Sequence, residues 1–580
     1  MRVVQKILFV VLMSGLMAAQ SAPASGSDTT KNSSDVQKLL DAVAAQQKAI
    51  AEQQKQIEEQ QVEIERLKKQ FATQSQPASA SSDSQTGHVV NASITTSGAN
   101  PAMRTVSDTA QEEKPKESPL SFRIGGAEFT PGGFMDFTSL FRSTNTGGPG
   151  GTGFGGIPFS NTTAGHLTET RFTAQNSRIS LKATSKVGKN DVTGYIEMDF
   201  LGNDASNVFV TTNSHTLRQR LYWVDVKRDK WEILAGQSWS WMTPNRVGLS
   251  PNPSDVFFTQ NMDFNYQVGL TWARQPQFRV AYHPNSHWVF GVALEEPEQF
   301  TNNEVTFPNS FNTVLQGQLD ANQAPNPTAG IGDGNATPNV HPDIIPKIAY
   351  DTDLNGKHFH AEAAGLLTGI RVADIPSVTG ATFVKHTKEG AGVEAAINLE
   401  IVKNFRIVSS GFFSDGGGRY IFGLAPDVVF GLANGPGQTC TNVATGTPPV
   451  FSGAGCDLRM SLVHSGSGVI GFETQVAPKT QFFGYYGGMY AQRNFFPDLT
   501  GKPGTFVGFG GPNSSASNNR AIQEGTIGWI QTFWRNPQYG ALQLITQASY
   551  LTRSPWFVSA GAPKNAHLGM GWVDIRYILP

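Results

Sequence analysis

The chain has 580 residues, and its 44 Lys and Arg against 46 Asp and Glu give a formal charge of -2. Only 16% of residues are charged, against roughly 25% in an ordinary soluble domain, while glycine reaches 61 and aromatics 10%. This balance excludes a dedicated nucleic-acid binder, which carries a basic excess; two cysteines exclude a disulfide scaffold or a four-cysteine zinc site; and beyond residue 19 no apolar run approaches the roughly 18 residues of a spanning helix.

Residues 1–25 read as a secretory signal peptide, because Arg2 and Lys6 precede an apolar stretch over 7–19 that ends in small residues. No cysteine follows the cleavage region, so a lipid-anchored N-terminus is not expected. Residues 33–71 then carry a heptad seam: Val36, Val43, Ile50, Ile57, Ile64 and Phe71 recur every seven positions, with Leu39, Gln46, Gln53, Gln60 and Leu67 three places later. That is the pattern of a coiled coil. Its mostly Gln second position is polar and sets oligomer state, with a trimer expected ahead of a dimer. Residues 72–120 are rich in Ser, Thr, Ala, Gly and Pro and cannot bury enough surface to order themselves, so they read as a flexible linker.

From residue 121 to 580 the periodicity changes to two. Over 192–200, Val192, Ile196, Met198 and Phe200 alternate with Thr193, Tyr195, Glu197 and Asp199; Ile179, Leu181 and Ala183 alternate with Arg178, Ser180 and Lys182. A soluble sandwich and a membrane barrel both give such alternation. Loop lengths separate them. Sixteen strands are predicted, at 132–143, 170–187, 191–202, 217–228, 231–242, 267–283, 287–296, 343–352, 357–371, 389–402, 405–416, 459–476, 479–493, 521–535, 540–553 and 566–579. Their connections alternate between tight turns, such as those at Asp229, Asn355 and Asn404, and long loops, such as 144–169, 243–266, 297–342, 417–458 and 494–520. Strict alternation with an even count is the signature of an outer-membrane barrel, and keeping it requires Pro276 to be a kink inside one long strand. The last residues fit as well: Val573, Ile575, Tyr577 and Leu579 share a face opposite Trp572, Asp574 and Arg576, as in a terminal signal for the barrel-assembly machinery. Tyr222, Trp223, Trp239, Trp241, Trp529, Trp534, Tyr550 and Trp556 near strand ends are expected to form interface girdles in outer-membrane lipid. The fold class is therefore all-β, a transmembrane sixteen-stranded antiparallel barrel behind an N-terminal α-helical coiled coil and linker.

Short stretches resemble the DcaP-like porins: Gln175-Asn176-Ser177-Arg178-Ile179, Leu217-Arg218-Gln219-Arg220-Leu221-Tyr222, Tyr485-Tyr486-Gly487-Gly488-Met489-Tyr490 and Ser549-Tyr550-Leu551-Thr552-Arg553, in order over some 380 residues beside the same stalk, tether and barrel layout. The resemblance implies a homotrimeric, non-enzymatic outer-membrane channel of a Gram-negative bacterium that passes small hydrophilic solutes, carboxylate-bearing ones among them, needs no cofactor and keeps the coiled coil in the periplasm near the cell wall.

A sixteen-stranded barrel is wide enough to hold an aqueous channel. The inward parity puts Arg178, Lys182, Arg218 and Arg220 on neighbouring strands, faced by Glu197 and Asp199, which gives either a weak anion preference or an ion-paired, unselective lumen. The loop 243–266, stiffened by Pro244, Pro251 and Pro253 and carrying Arg246, Asp255 and Asp263, is expected to form the constriction, an outward loop being the alternative. His358, His360 and Glu362 share a strand face and read as wet lumen residues ahead of a metal site. Cys440 and Cys456 fall in one long external loop of an exported chain, where a structural disulfide is expected. A barrel hydrolase would need a nucleophile, a base and an orienting group on the outer rim, and no such motif stands out; a surface adhesin remains the other class.

Overall fold

A computed structural model describes residues 118–147, 150–202, 215–301, 305–308, 318–319, 340–374, 384–432, 441–444, 450–452, 457–498 and 504–580. The signal peptide, the heptad segment, most of the linker, Cys440 and Cys456 lie outside them.

The described residues close an antiparallel sheet of sixteen staves. They are β1 (Ala127–Arg142), β2 in two pieces (Glu169–Thr173 and Arg178–Val187), β3 (Asn190–Asp199), β4 (Arg218–Arg228), β5 (Trp231–Trp239), β6 (Arg274–Tyr282), β7 (Trp288–Glu295), β8 (Asp343–Asp353), β9 (His358–Asp374), β10 (Val384–Val402), β11 (Phe405–Asp415), β12 (His464–Ala477), β13 (Thr480–Ala491), β14 (Asn519–Asn536), β15 (Gly540–Pro555) and β16 (Ala566–Ile578). Each pairs with its neighbours in sequence, and β16 returns to β1 with Phe134 opposite Ile578 and Phe137 opposite Ile575. Closure leaves no free edge for another chain to pair with. A further three residues, Phe122–Ile124, fold back on the start of β1.

The alternation has the handedness a membrane barrel needs. Ile179, Ile196, Val224, Ile233, Val393, Phe413, Ile470, Ile527, Val573 and Ile575 stand exposed on the outer face, while Glu197, Asp199, Glu362, Glu473, Glu524 and Asp574 are buried inside. A sandwich would reverse this. The tight turns are built by residues that tolerate left-handed backbone: Asp229, Asn355 and Asn404 all have positive φ, and Asn355 is followed by Gly356 at φ +75, so both central positions of that turn are left-handed.

Three strand expectations are corrected. The strand placed at 267–283 begins only at Arg274; Pro276 sits within β6 opposite Gln237, and 267–273 belong to a loop inside the barrel. The strand placed at 170–187 is broken between Thr173 and Arg178, where Asn176 Nδ2 donates to Asp136 Oδ2 (2.8 Å) and Ser177 Oγ accepts from Asp136 N–H (3.0 Å). The strand placed from 459 starts at His464, because Leu458–Leu462 pairs with Val428–Leu432 in a hairpin of the external loop. All three errors lie at long-loop ends, where extended backbone continues after it leaves the wall. The girdle assignment also changes: Tyr222, Trp534 and Tyr550 are exposed outside, but Trp223, Trp239 and Trp241 are buried within the barrel.

Candidate functional site

The segment joining β5 to β6, residues 240–273, turns into the barrel, where most of it is buried and none of it is exposed. Lumen backbone needs hydrogen-bond partners, and the wall supplies them. Trp241 N–H donates to Glu295 Oε1 (2.8 Å), Asn245 N–H to Glu362 Oε1 (2.8 Å), Gly248 N–H to Asp351 Oδ2 (2.9 Å), Gln260 N–H to Tyr485 Oη (3.1 Å) and Val268 N–H to Glu524 Oε2 (2.9 Å). Arg246 joins in with a fork of two bonds to Glu473, at 2.9 and 2.7 Å, and its guanidinium lies 4.9 Å from the Phe257 ring centre. A bidentate guanidinium–carboxylate pair is among the stronger polar contacts.

The loop thus leans on β7 to β14 and faces β2 to β6 across the remaining space. On that facing wall, Arg218 grips Asp199 with two bonds (3.0 and 2.8 Å), Arg220 reaches both Glu197 (2.7 Å) and Asp199 (2.6 Å), and Arg178 lies 3.8 Å from Glu197. Tyr266 of the loop points its hydroxyl at the same group, 3.5 Å from both Arg178 Nη2 and Arg220 Nη2. Burial by itself would raise the Tyr266 phenol's pKa, but the adjacent guanidiniums of Arg178 and Arg220 outweigh it and hold it below its ordinary value. Tyr266 has φ +62, a strained position for a bulky side chain, and is braced by Phe258 (stacked, 4.4 Å) and Trp272 (edge-on, 5.4 Å).

Tyr266 borders two cavities. One, of ≈ 350 Å³, lies toward the long-loop end and is lined by Arg218, Arg220, Arg274, Trp272 and Tyr266. The other, of ≈ 110 Å³, holds Phe134, Arg178, Tyr195, Glu197 and Trp239. Arg220 and Arg274 flank the Trp239 ring at 5.6 and 5.5 Å, and Arg274 Nη1 has no hydrogen-bond partner.

The residues singled out from sequence divide accordingly. Arg178, Glu197, Asp199, Arg218 and Arg220 come together as one ion-paired group; Lys182 sits apart on the same wall, within electrostatic reach of Asp255. Asp263 is buried at the edge of the smaller cavity, where it accepts from Thr152 N–H (3.0 Å) and Asn265 N–H (2.9 Å). Arg246 is turned to the wall. His358, His360 and Glu362 do not line open water: they are buried under the loop's root, with His360 between Asp351 (2.8 Å) and Glu362 (3.3 Å), and Lys347 on Glu362 (3.0 Å). Among the described residues no group of His, Cys, Asp and Glu is arranged to hold a metal. Two residues of the site escaped the sequence reading. Arg274 was placed mid-strand beside Pro276, and Tyr266 was only the end of a loop.

The chain matches no protein-family model and no curated protein sequence. Its barrel fold is that of a solved outer-membrane channel, DcaP of Acinetobacter baumannii, to which it is 15% identical with a TM-score of 0.51, over 79% of this chain and 100% of that one. The barrel fold implied by the sequence motifs is thereby borne out. More distant likenesses include an anion-selective porin from Comamonas acidovorans (10% identity, TM-score 0.40, 78% of this chain and 100% of that one) and OmpT, an outer-membrane protein of Vibrio cholerae, in a trimer form (9%, 0.37, 78% and 99%).

Proposed function

We propose that this chain is an outer-membrane porin: a homotrimeric, non-enzymatic diffusion channel for small hydrophilic solutes, with a preference for anions such as carboxylates. The observation that carries the reading is the arginine-lined cavity beside an inward loop. Four guanidiniums, of Arg178, Arg218, Arg220 and Arg274, meet two carboxylates, of Glu197 and Asp199, so pairing leaves a positive excess. Fixed charge of one sign at a narrow point attracts the opposite ion and repels its own.

The loop carrying Tyr266 forms the constriction in this reading, and a solute passes from the larger cavity along the arginines to the smaller one. Arg246, Asp255 and Asp263, expected at the constriction, serve to hold the loop in place. The heptad segment stays in the periplasm, and the last strand engages the assembly machinery. Planar-bilayer recording tests the whole: purified protein opens in steps, and the reversal potential in a salt gradient reports anion preference. The double variant Arg218→Ala and Arg220→Ala shifts that potential toward the cation side. A barrel that never conducts would leave the adhesin class instead.

A further inference from the structure

The inner face of β13 lacks a side chain where the loop presses hardest against it. Gly487 faces the interior between Tyr485 and Met489, both buried, and a Cβ built there would lie 2.0 Å from the carbonyl oxygen of Val268. The contact is matched from the other side. Gly269 has φ +96, and a Cβ on it would meet Gly468 O at 2.2 Å and Gly488 N at 2.7 Å. Gly468 and Gly488 are opposite each other in the β12–β13 ladder. Loop backbone therefore lies on wall backbone with no side chain between them, the close approach that glycine alone permits in a strand. Glu524 of β14 completes the seat by accepting from Val268 N–H (2.9 Å), while Gln267 Nε2 donates to its carbonyl (3.0 Å).

We propose that Gly487 is a positioning residue that sets the channel's aperture: it gives the constriction loop a recess, and the depth of that recess fixes how far the loop stands into the two cavities that Tyr266 borders. This deepens the porin reading and rests on it. The geometry gives the effect a direction. Ordinary contact begins near 3.4 Å, so a methyl at 487 forces the Val268 carbonyl back by about 1.4 Å. β13 lies behind the loop and those cavities in front; Tyr266, two residues away, already touches Arg178 and Arg220, so the displaced loop is pushed into the space beside them and the passage narrows. Interiors are packed too tightly to absorb such a shift without moving a neighbour.

The test is single-channel recording of the full-length protein with three variants, alongside size exclusion by neutral polymers of graded mass. Gly487→Ala lowers conductance about twofold or more and reduces the largest polymer admitted, since both follow pore width. Gly269→Ala attacks the same contact from the loop, outside any barrel strand, and decides the matter if the strand variant does not fold. Gly525→Ala is the control, because a Cβ on that strand glycine of β14 meets nothing within 4 Å, and its conductance equals the wild type's. Wild-type conductance and polymer cut-off in folded Gly269→Ala or Gly487→Ala protein overturn the proposal while leaving the porin reading intact; a silent wild type overturns the porin reading itself.

Discussion

The two halves of the barrel's inner wall use the same chemistry for opposite ends. Along β7 to β14 the carboxylates of Glu295, Asp351, Glu362 and Glu524 each accept a backbone N–H of the inward loop, and Glu473 holds Arg246. Along β2 to β6, Glu197 and Asp199 are gripped by arginines that border open space. One wall spends its polarity on fixing a loop, and the other presents it to whatever passes. The lesson is that an inward polar residue in a barrel has no role of its own until the loop's path decides whether water or protein faces it.

The sharpest way to break this division is on the loop-fixing wall. Glu473→Ala strands Arg246, 3% exposed on its side chain, without its partner; removing one member of a buried pair costs about 3–5 kcal/mol. Thermal unfolding of the purified barrel is expected at a clearly lower temperature, and an unchanged midpoint would show that the pair does not secure the loop. The facing wall should respond in the other way. Arg274→Ala removes a guanidinium with an unpartnered Nη1 whose contact is the Trp239 ring, so the barrel loses no more than about 1 kcal/mol of stability, while the reversal potential loses part of the proposed anion bias. Were stability to fall by as much as in Glu473→Ala, the two walls would not differ as described.

The smallest effect is a pH dependence at Tyr266. Its phenol is held below its ordinary pKa by the two guanidiniums beside it, so it loses its proton earlier on the way to alkaline pH than an isolated tyrosine would. Deprotonation adds a negative charge among the arginines, and anion preference should therefore decline as pH rises through the alkaline range and recover on return to neutral. Tyr266→Phe abolishes that decline. Persistence of the decline in the phenylalanine variant would assign it to another group.

The motif Gln175-Asn176-Ser177-Arg178-Ile179 illustrates what could be read in advance. Its alternation put Arg178 inside and Ile179 outside, which holds. Its role in breaking β2 to reach Asp136 could not be read, because that contact joins side chains 40 residues apart. His360 and Arg246 teach the same: both were rightly placed inside the barrel, and neither meets open water.

The sequence by itself determined the number of strands, the inward or outward facing of side chains along the regular part of each strand, and which connections are short, because alternation and turn residues are local properties of the backbone. The tertiary structure alone decided where the inward loop lies, that Tyr266 meets Arg178 and Arg220, that Arg274 joins them, and that Gly487 is a recess. Those contacts link residues tens to hundreds of positions apart, and only closure of the barrel brings them within reach.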